Sequence, residues 1–174
     1  MFGSVPPDID VYVLVSDRSR ESIDKFLNSY IDTEKSNHRG DQESDVVPIG
    51  YEGDIENLED WDSISTQSLE EIVSLGLSYP RRAFTVHLKT KAPEHDMAVL
   101  TFTRDDRLVF GLSIDDGMND PENAERARDL AVQLLNEFDG VRSWFVGEYP
   151  PPLDDVTFER QRPYLMGIIE QDGI

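Results

Sequence analysis

Three short segments between residues 83 and 114 alternate apolar and polar side chains, which is the period of a β-strand. They run from 83 to 90, from 96 to 103 and from 107 to 114, and turn-forming residues separate them. Connections this short join antiparallel neighbours. The pattern therefore predicts an antiparallel meander of three strands, around which the rest of the chain is arranged.

Two turns set the register of this meander. If Arg104 pairs with Arg107 across a two-residue turn, and Ala92 pairs with His95 in the first hairpin, nine apolar side chains share one face. That face is predicted to be the core. Its members are Phe84, Val86, Leu88, Met97, Val99, Leu108, Phe110, Leu112 and Ile114.

The opposite face of the meander is less polar than a solvated face. In the same register it carries Leu100, Phe102 and Val109 beside His87, so it is either covered by a helix or used for recognition. A slip of one residue in the first hairpin would instead move Leu100 and Phe102 into the core. The sequence leaves that choice open.

The remaining elements follow from apolar runs and helix caps. A β-branched run at 9–16 is apolar on both faces and predicts an interior strand, and 141–149 predicts the last strand of the sheet. Ser19, Ser68 and Asp120 can cap amphipathic helices that run to about residues 31, 78 and 138. Together these predict an α+β fold, with an antiparallel or mixed sheet of about five strands and three helices mainly on one face.

Three consecutive prolines at 150–152 divide the chain. We predict a single domain over residues 1–152 and a C-terminal tail over 153–174. The tail carries Phe158, Tyr164 and Ile168, which need burial. It is therefore expected to dock on the domain or to lie at an oligomer interface.

The charge of the chain is strongly negative and unevenly distributed. Its 36 acidic and 16 basic side chains give −20 over 174 residues. Residues 63–114 hold 6 of each, whereas residues 1–62 hold 16 acids and 5 bases and residues 115–174 hold 14 and 5. Direct nucleic acid binding is not expected, because phosphate contacts need clustered Lys or Arg. A basic protein partner is favoured instead.

The chain contains no cysteine, which excludes thiol catalysis, disulfides and cysteine-ligated metals. It also lacks an apolar run of membrane-spanning length, and residues 1–7 lack the pattern of a secretion signal. These features predict a cytoplasmic protein without membrane association.

An acidic run at 52–62 is the first candidate binding site. It contains six acids and no base around a tryptophan. A partly exposed tryptophan ringed by charge is typical of an interface hot spot, although a solvated loop whose tryptophan enters the core would have the same sequence. The candidate residues are Glu52, Asp54, Glu56, Glu59, Asp60, Trp61 and Asp62.

Two other groups are weaker candidates. His87, Leu100 and Phe102 would line a ligand pocket if the mixed face of the meander is concave. Oxygen ligands for a hard cation stand at Asp115, Asp116, Asn119 and Asp120, but their spacing matches no defined metal loop, and turn and cap chemistry accounts for each of them. The sequence contains no nucleophile elbow, phosphate loop or dinucleotide fingerprint, so no catalytic residue and no cofactor is predicted.

These observations favour a non-enzymatic interaction protein whose acidic surface engages a basic protein, such as an inhibitor or immunity-type protein that neutralises a cationic toxin or nuclease. The alternative is a small-molecule enzyme or ligand-binding domain that uses the sheet face around His87. A third hypothesis is that the acidity reflects solubility or salt adaptation, since only 4 of the 16 bases are Lys. The first hypothesis predicts a flat or convex acidic surface, and the second predicts a concave apolar pocket with convergent polar groups.

Overall fold

A computed structural model describes residues 8–36, 46–47, 68–116 and 120–171 of the chain. Its strands are β1 (Ile9–Val15), β2 (Val46–Val47), β3 (Phe84–Leu88), β4 (Ala98–Phe102), β5 (Leu108–Ile114), β6 (Arg142–Gly147) and β7 (Leu165–Glu170). They form one sheet in the order β2-β3-β4-β5-β1-β6-β7, and every neighbouring pair is antiparallel. The predicted α+β class and the three-strand meander are confirmed, and the sheet has seven strands rather than about five.

Three of the five helices in the described residues begin at the caps that the sequence indicates. Their ranges are α1 (Arg20–Tyr30), α2 (Thr33–Ser36), α3 (Leu69–Ser78), α4 (Pro121–Glu137) and α5 (Asp155–Gln161). The side chains of Ser19, Ser68 and Asp120 accept backbone N–H bonds at the starts of α1, α3 and α4, because the first amides of a helix have no partner within it. Among the described residues, no helix is both long and apolar enough to cross a bilayer.

β1 lies inside the sheet, between β5 and β6, and all seven of its residues are buried. Its odd-numbered side chains join the larger core beneath α1, α3 and α4, together with residues such as Phe26 and Leu134. Tyr12 and Leu14 point to the opposite face and join a smaller cluster. Burial on both faces explains why this strand has no exposed polar side.

The predicted register of the meander is wrong by one residue at β4. Leu100 pairs with Val86 and Phe110, and Phe102 pairs with Phe84 and Leu108. The slipped register that the sequence left open is therefore the correct one. Leu100 and Phe102 lie in the core beneath the helices, whereas Val99 and Met97 belong to the opposite face.

The second turn accounts for the shift between β4 and β5. Thr103 and Arg107 close it, and three residues rather than two lie between them. Asp106, the last of the three, has a φ of 61°, as expected for the left-handed residue of a three-residue hairpin loop. The core reinforces this register, because the rings of Phe84 and Phe102 stack with centroids 4.7 Å apart.

Residues 153–171 pack on the sheet face opposite α1, α3 and α4 and extend the sheet at one edge. Phe158 of α5 is fully buried against Trp144, with ring centroids 4.8 Å apart. The guanidinium of Arg142 lies 3.7 Å from the centroid of the Phe158 ring, and the same arginine donates to Asp155 at 2.7 Å. Aromatic packing and charge pairing together hold α5 on the sheet.

Candidate functional site: a cavity beside α5

The sheet face that carries α5 also carries a cavity of about 320 Å³, which we call the sheet cavity. It lies over β1, β3 and β4, and the loop between β6 and α5 forms one wall. At about 30 Å³ per water molecule, its volume equals about ten waters. The lining residues are Asp10, Tyr12, Thr85, His87, Met97, Val99, Glu148, Tyr149, Pro150 and Pro151.

One row of paired strand residues makes the floor of the sheet cavity. His87 pairs with Val99, Val99 with Gly111, and Gly111 with Tyr12. A Cβ atom at Gly111 would lie 2.5 Å from the Tyr12 ring, so only glycine at this position lets the ring lie across β5. The result is a shallow floor built from an aromatic ring and an aliphatic side chain.

The wall formed by residues 148–151 is tied to β1 at several points. The backbone N–H of Glu148 donates to Asp8 O at 2.8 Å. Tyr149 is held twice, because its N–H donates to Asp10 Oδ2 at 3.1 Å and its carbonyl accepts from the Tyr12 hydroxyl at 2.6 Å. Two prolines that follow in this wall restrict its backbone further. The sheet cavity is therefore preformed, and β1 determines its shape.

Asp10 is the most unusual polar side chain in the lining. Only 8% of it is exposed, and its Oδ1 accepts a hydrogen bond from Ser113 Oγ at 2.6 Å. Burial raises the pKa of the Asp10 carboxyl, although the bonds from Ser113 and from the Tyr149 amide act in the opposite direction. No Lys or Arg within the described part of the chain forms an ion pair with it.

Further carboxylates stand close to Asp10. The pKa of Asp8 is raised to about 6, because this group is partly buried and because Asp96, Asp10 and Asp115 repel its charge. The neighbouring Asp96 carboxyl is the largest of these repelling groups. This end of the β1 strand is consequently a region of negative potential.

The polar groups on the floor are mostly engaged with one another. Thr85 Oγ1 and Thr101 Oγ1 lie 2.9 Å apart and share a hydrogen bond in the buried part of the sheet. The Tyr12 hydroxyl is used by Tyr149 O, and burial together with the nearby Asp10 carboxylate raises its pKa well above the ordinary tyrosine value. These hydroxyl groups are arranged to hold the site rather than to act as nucleophiles.

The structure divides the predicted pocket of His87, Leu100 and Phe102. His87 is half-buried and lines the sheet cavity. Leu100 and Phe102 lie in the core on the other face, because the register at β4 differs by one residue from the predicted one. A one-residue shift exchanges the two faces of a strand, so one of the three predicted residues reaches the cavity.

The other two predicted groups are placed only in part. The acidic run at 52–62 and Asn119 lie outside the described residues. Asp116 Oδ1 accepts from Asn123 Nδ2 at 2.7 Å and from Asp120 N at 3.1 Å, and Asp120 caps α4. Within the described ranges, no group of three or more His, Asp or Glu side chains is arranged to hold a metal ion.

Sequence reasoning missed Asp10, Tyr12 and the wall at 148–151. One signal for Asp10 was available, since a carboxylate inside a strand of otherwise apolar residues needs a special environment. Tyr149 gave no comparable signal, because its role depends on a contact with Tyr12, which lies 137 positions away.

The chain matches no protein-family model, no curated protein sequence and no solved structure.

Proposed function

We propose that this protein binds a small molecule in the sheet cavity. The supporting observation is a preformed concavity with an apolar floor and a few polar groups at its edge, which is the usual form of a ligand site. Asp8, Asp10 and Tyr12 hold the wall by hydrogen bonds before any ligand arrives. Ligand binding would therefore not be weakened by a loss of conformational entropy in that wall.

Filling the cavity with a bulky side chain tests this proposal. Met97 lines the sheet cavity and is only half-buried, so Met97→Trp should occupy the space without disturbing the core. Val132→Trp on the exposed side of α4 is the matched control, since that residue is 40% exposed and lies away from the cavity.

The assay is a ligand-detected NMR screen of neutral, cationic and anionic fragments of about ten non-hydrogen atoms, the size that the cavity volume suggests. We expect at least one fragment to bind the wild type and Val132→Trp and to lose binding to Met97→Trp. The proposal is wrong if no fragment binds, or if every binding fragment is unaffected by Met97→Trp.

A second candidate function is the binding of a basic protein, and the net charge of −20 favours it. Complementary charge speeds association and selects partners. The test is a pull-down at low and high salt, because an electrostatic complex should weaken as ionic strength rises. Failure to recover a basic protein at low salt would contradict this function and would favour salt adaptation or solubility as the origin of the acidity.

A further inference from the structure

We infer that the ligand of the sheet cavity is an organic cation, with its ammonium group against Asp10 and Glu148 and its apolar body on Val99. This inference rests on the proposed small-molecule function and adds the chemical class of the ligand. It follows from the charges of the lining, from the hydrogen bonds of Asp10 and from the aromatic residues in the same lining.

The charged groups that line the cavity are unbalanced in sign. The lining contains two carboxylates, Asp10 and Glu148, and neither Lys nor Arg. Within the described residues, neither carboxylate has a Lys or Arg partner. A carboxylate that is largely removed from water without a cation is costly, and a bound cation would supply the missing charge.

The geometry of Asp10 leaves it able to accept a further donor. Ser113 Oγ occupies one site on Oδ1, and the Tyr149 amide occupies one site on Oδ2. Each carboxylate oxygen has two lone pairs, so an ammonium can donate to the remaining positions. The two existing bonds hold the carboxylate in place at the base of the wall, whereas Glu148 stands exposed at its edge.

The rest of the lining suits the body of such a ligand. Val99 and Pro151 are buried apolar residues and Met97 is half-buried, so they offer a surface without hydrogen-bonding demands. Tyr12 and Tyr149 belong to the same lining as the two carboxylates, and aromatic faces attract organic cations. An anion would meet two carboxylates and the nearby Asp8–Asp96 pair, which disfavours it.

Three probes of nearly equal size show whether the cavity prefers a cation, a neutral molecule or an anion. They are benzylammonium, benzyl alcohol and benzoate. We expect the dissociation constant of benzylammonium, measured by NMR titration at neutral pH and fixed salt, to be lower than that of benzyl alcohol by about tenfold or more. Benzoate should not saturate. Met97→Trp should abolish binding of the cation.

Two variants assign the preference to the cavity carboxylates. Asp10→Asn can keep both hydrogen bonds, because its Oδ1 can accept from the Tyr149 amide while Ser113 Oγ accepts from its Nδ2. Glu148→Gln changes an exposed side chain and should not affect folding. Each variant should reduce the preference for benzylammonium over benzyl alcohol at least about threefold. Asp129→Asn removes the same charge from the exposed surface of α4 and should leave the preference unchanged.

The outcomes distinguish this inference from the function on which it rests. If benzyl alcohol binds as tightly as benzylammonium and Met97→Trp blocks both, the cavity binds ligands and the cation inference is wrong. An equal loss in Asp129→Asn would also overturn it, since the preference would then come from the overall charge. If none of the probes binds, or if Met97→Trp affects none of them, the small-molecule function fails as well.

Discussion

Replacing Arg18 by alanine removes a buried connection between β1, α3 and the end of β4. The Arg18 side chain is 3% exposed. Its guanidinium donates to Thr103 O at 2.6 Å, to Tyr79 O at 2.8 Å and to Pro80 O at 3.1 Å, and it also bonds Gly76 O. Most of these carbonyls belong to the last turn of α3 or directly follow it, where backbone acceptors have no partner within the helix.

The expected cost follows from the number of acceptors left without a donor. Each well-formed bond to a charged donor contributes about 1 kcal/mol once partial access of water to the helix end is considered. Arg18 also lies over the Phe102 ring, 5.1 Å from its centroid, which adds about 0.5 kcal/mol. The cost of burying the cation, which also lowers the Arg18 pKa, offsets part of this sum. We therefore expect Arg18→Ala to lose about 3 kcal/mol, a large fraction of the 5–15 kcal/mol typical of a domain.

Urea unfolding at equilibrium, followed by tryptophan fluorescence, measures this loss. Arg20→Ala is the matched control, because Arg20 is 39% exposed and pairs with Glu70 and Asp24 on the surface. Its expected loss is about 0.5 kcal/mol. Arg18→Lys should fall between the two, because a single ammonium cannot reach carbonyls in several directions. If Arg18→Ala and Arg20→Ala lose the same free energy of unfolding, the reasoning about Arg18 is refuted.

Three further predictions follow from the site and from the charge of the chain. The pKa of Asp8 is raised from 3.8 to about 6 in the folded state, so the folded protein binds more protons than the unfolded chain and its stability falls as pH rises through this range. Asp8→Asn should therefore be more stable than the wild type at neutral pH, by about 1 kcal/mol after allowance for solvent screening. This gain in stability should vanish below pH 3.8, the ordinary pKa of aspartate. Urea melts at neutral pH and below pH 3.8 measure it, and an equal gain at the two pH values would contradict the prediction. Gly111→Ala should lower the free energy of unfolding by about 2 kcal/mol and weaken binding in the sheet cavity, because the new methyl group displaces the Tyr12 ring. Unchanged stability and binding would show that the ring does not need that space. Sodium chloride should raise the free energy of unfolding, because it screens repulsion within a chain of net charge −20, and a urea midpoint that is constant or falls with salt would refute the argument.

Local patterns were sufficient to locate most elements of the fold. Alternation and β-branched composition indicated β1 and the meander, and capping side chains marked the starts of α1, α3 and α4. These signals operate within a few residues of one another. The α+β class follows from them, because each amphipathic element has to bury its apolar side.

The register of β4 required information that local patterns do not contain. Both registers place apolar side chains on both faces of this strand, so hydrophobicity alone cannot choose between them. The choice depends on the left-handed conformation of Asp106 in the second turn and on the space above Gly76, where the Phe102 ring would clash with a Cβ atom. Gly76 belongs to α3, which the sequence predicts as a helix without indicating what it touches.

Sequence patterns alone were enough to identify β1, the meander, β6, α1, α3 and α4 with approximate bounds, and the composition gave the excess of negative charge. Tertiary structure alone brought Asp10, Tyr12 and Tyr149 together, across a separation of more than a hundred residues, and placed His87 on their side of the sheet. The physical reason is the range of the forces that act. Helix caps and strand periodicity act between near neighbours, whereas a cavity is the space left when distant segments have packed as closely as their side chains allow.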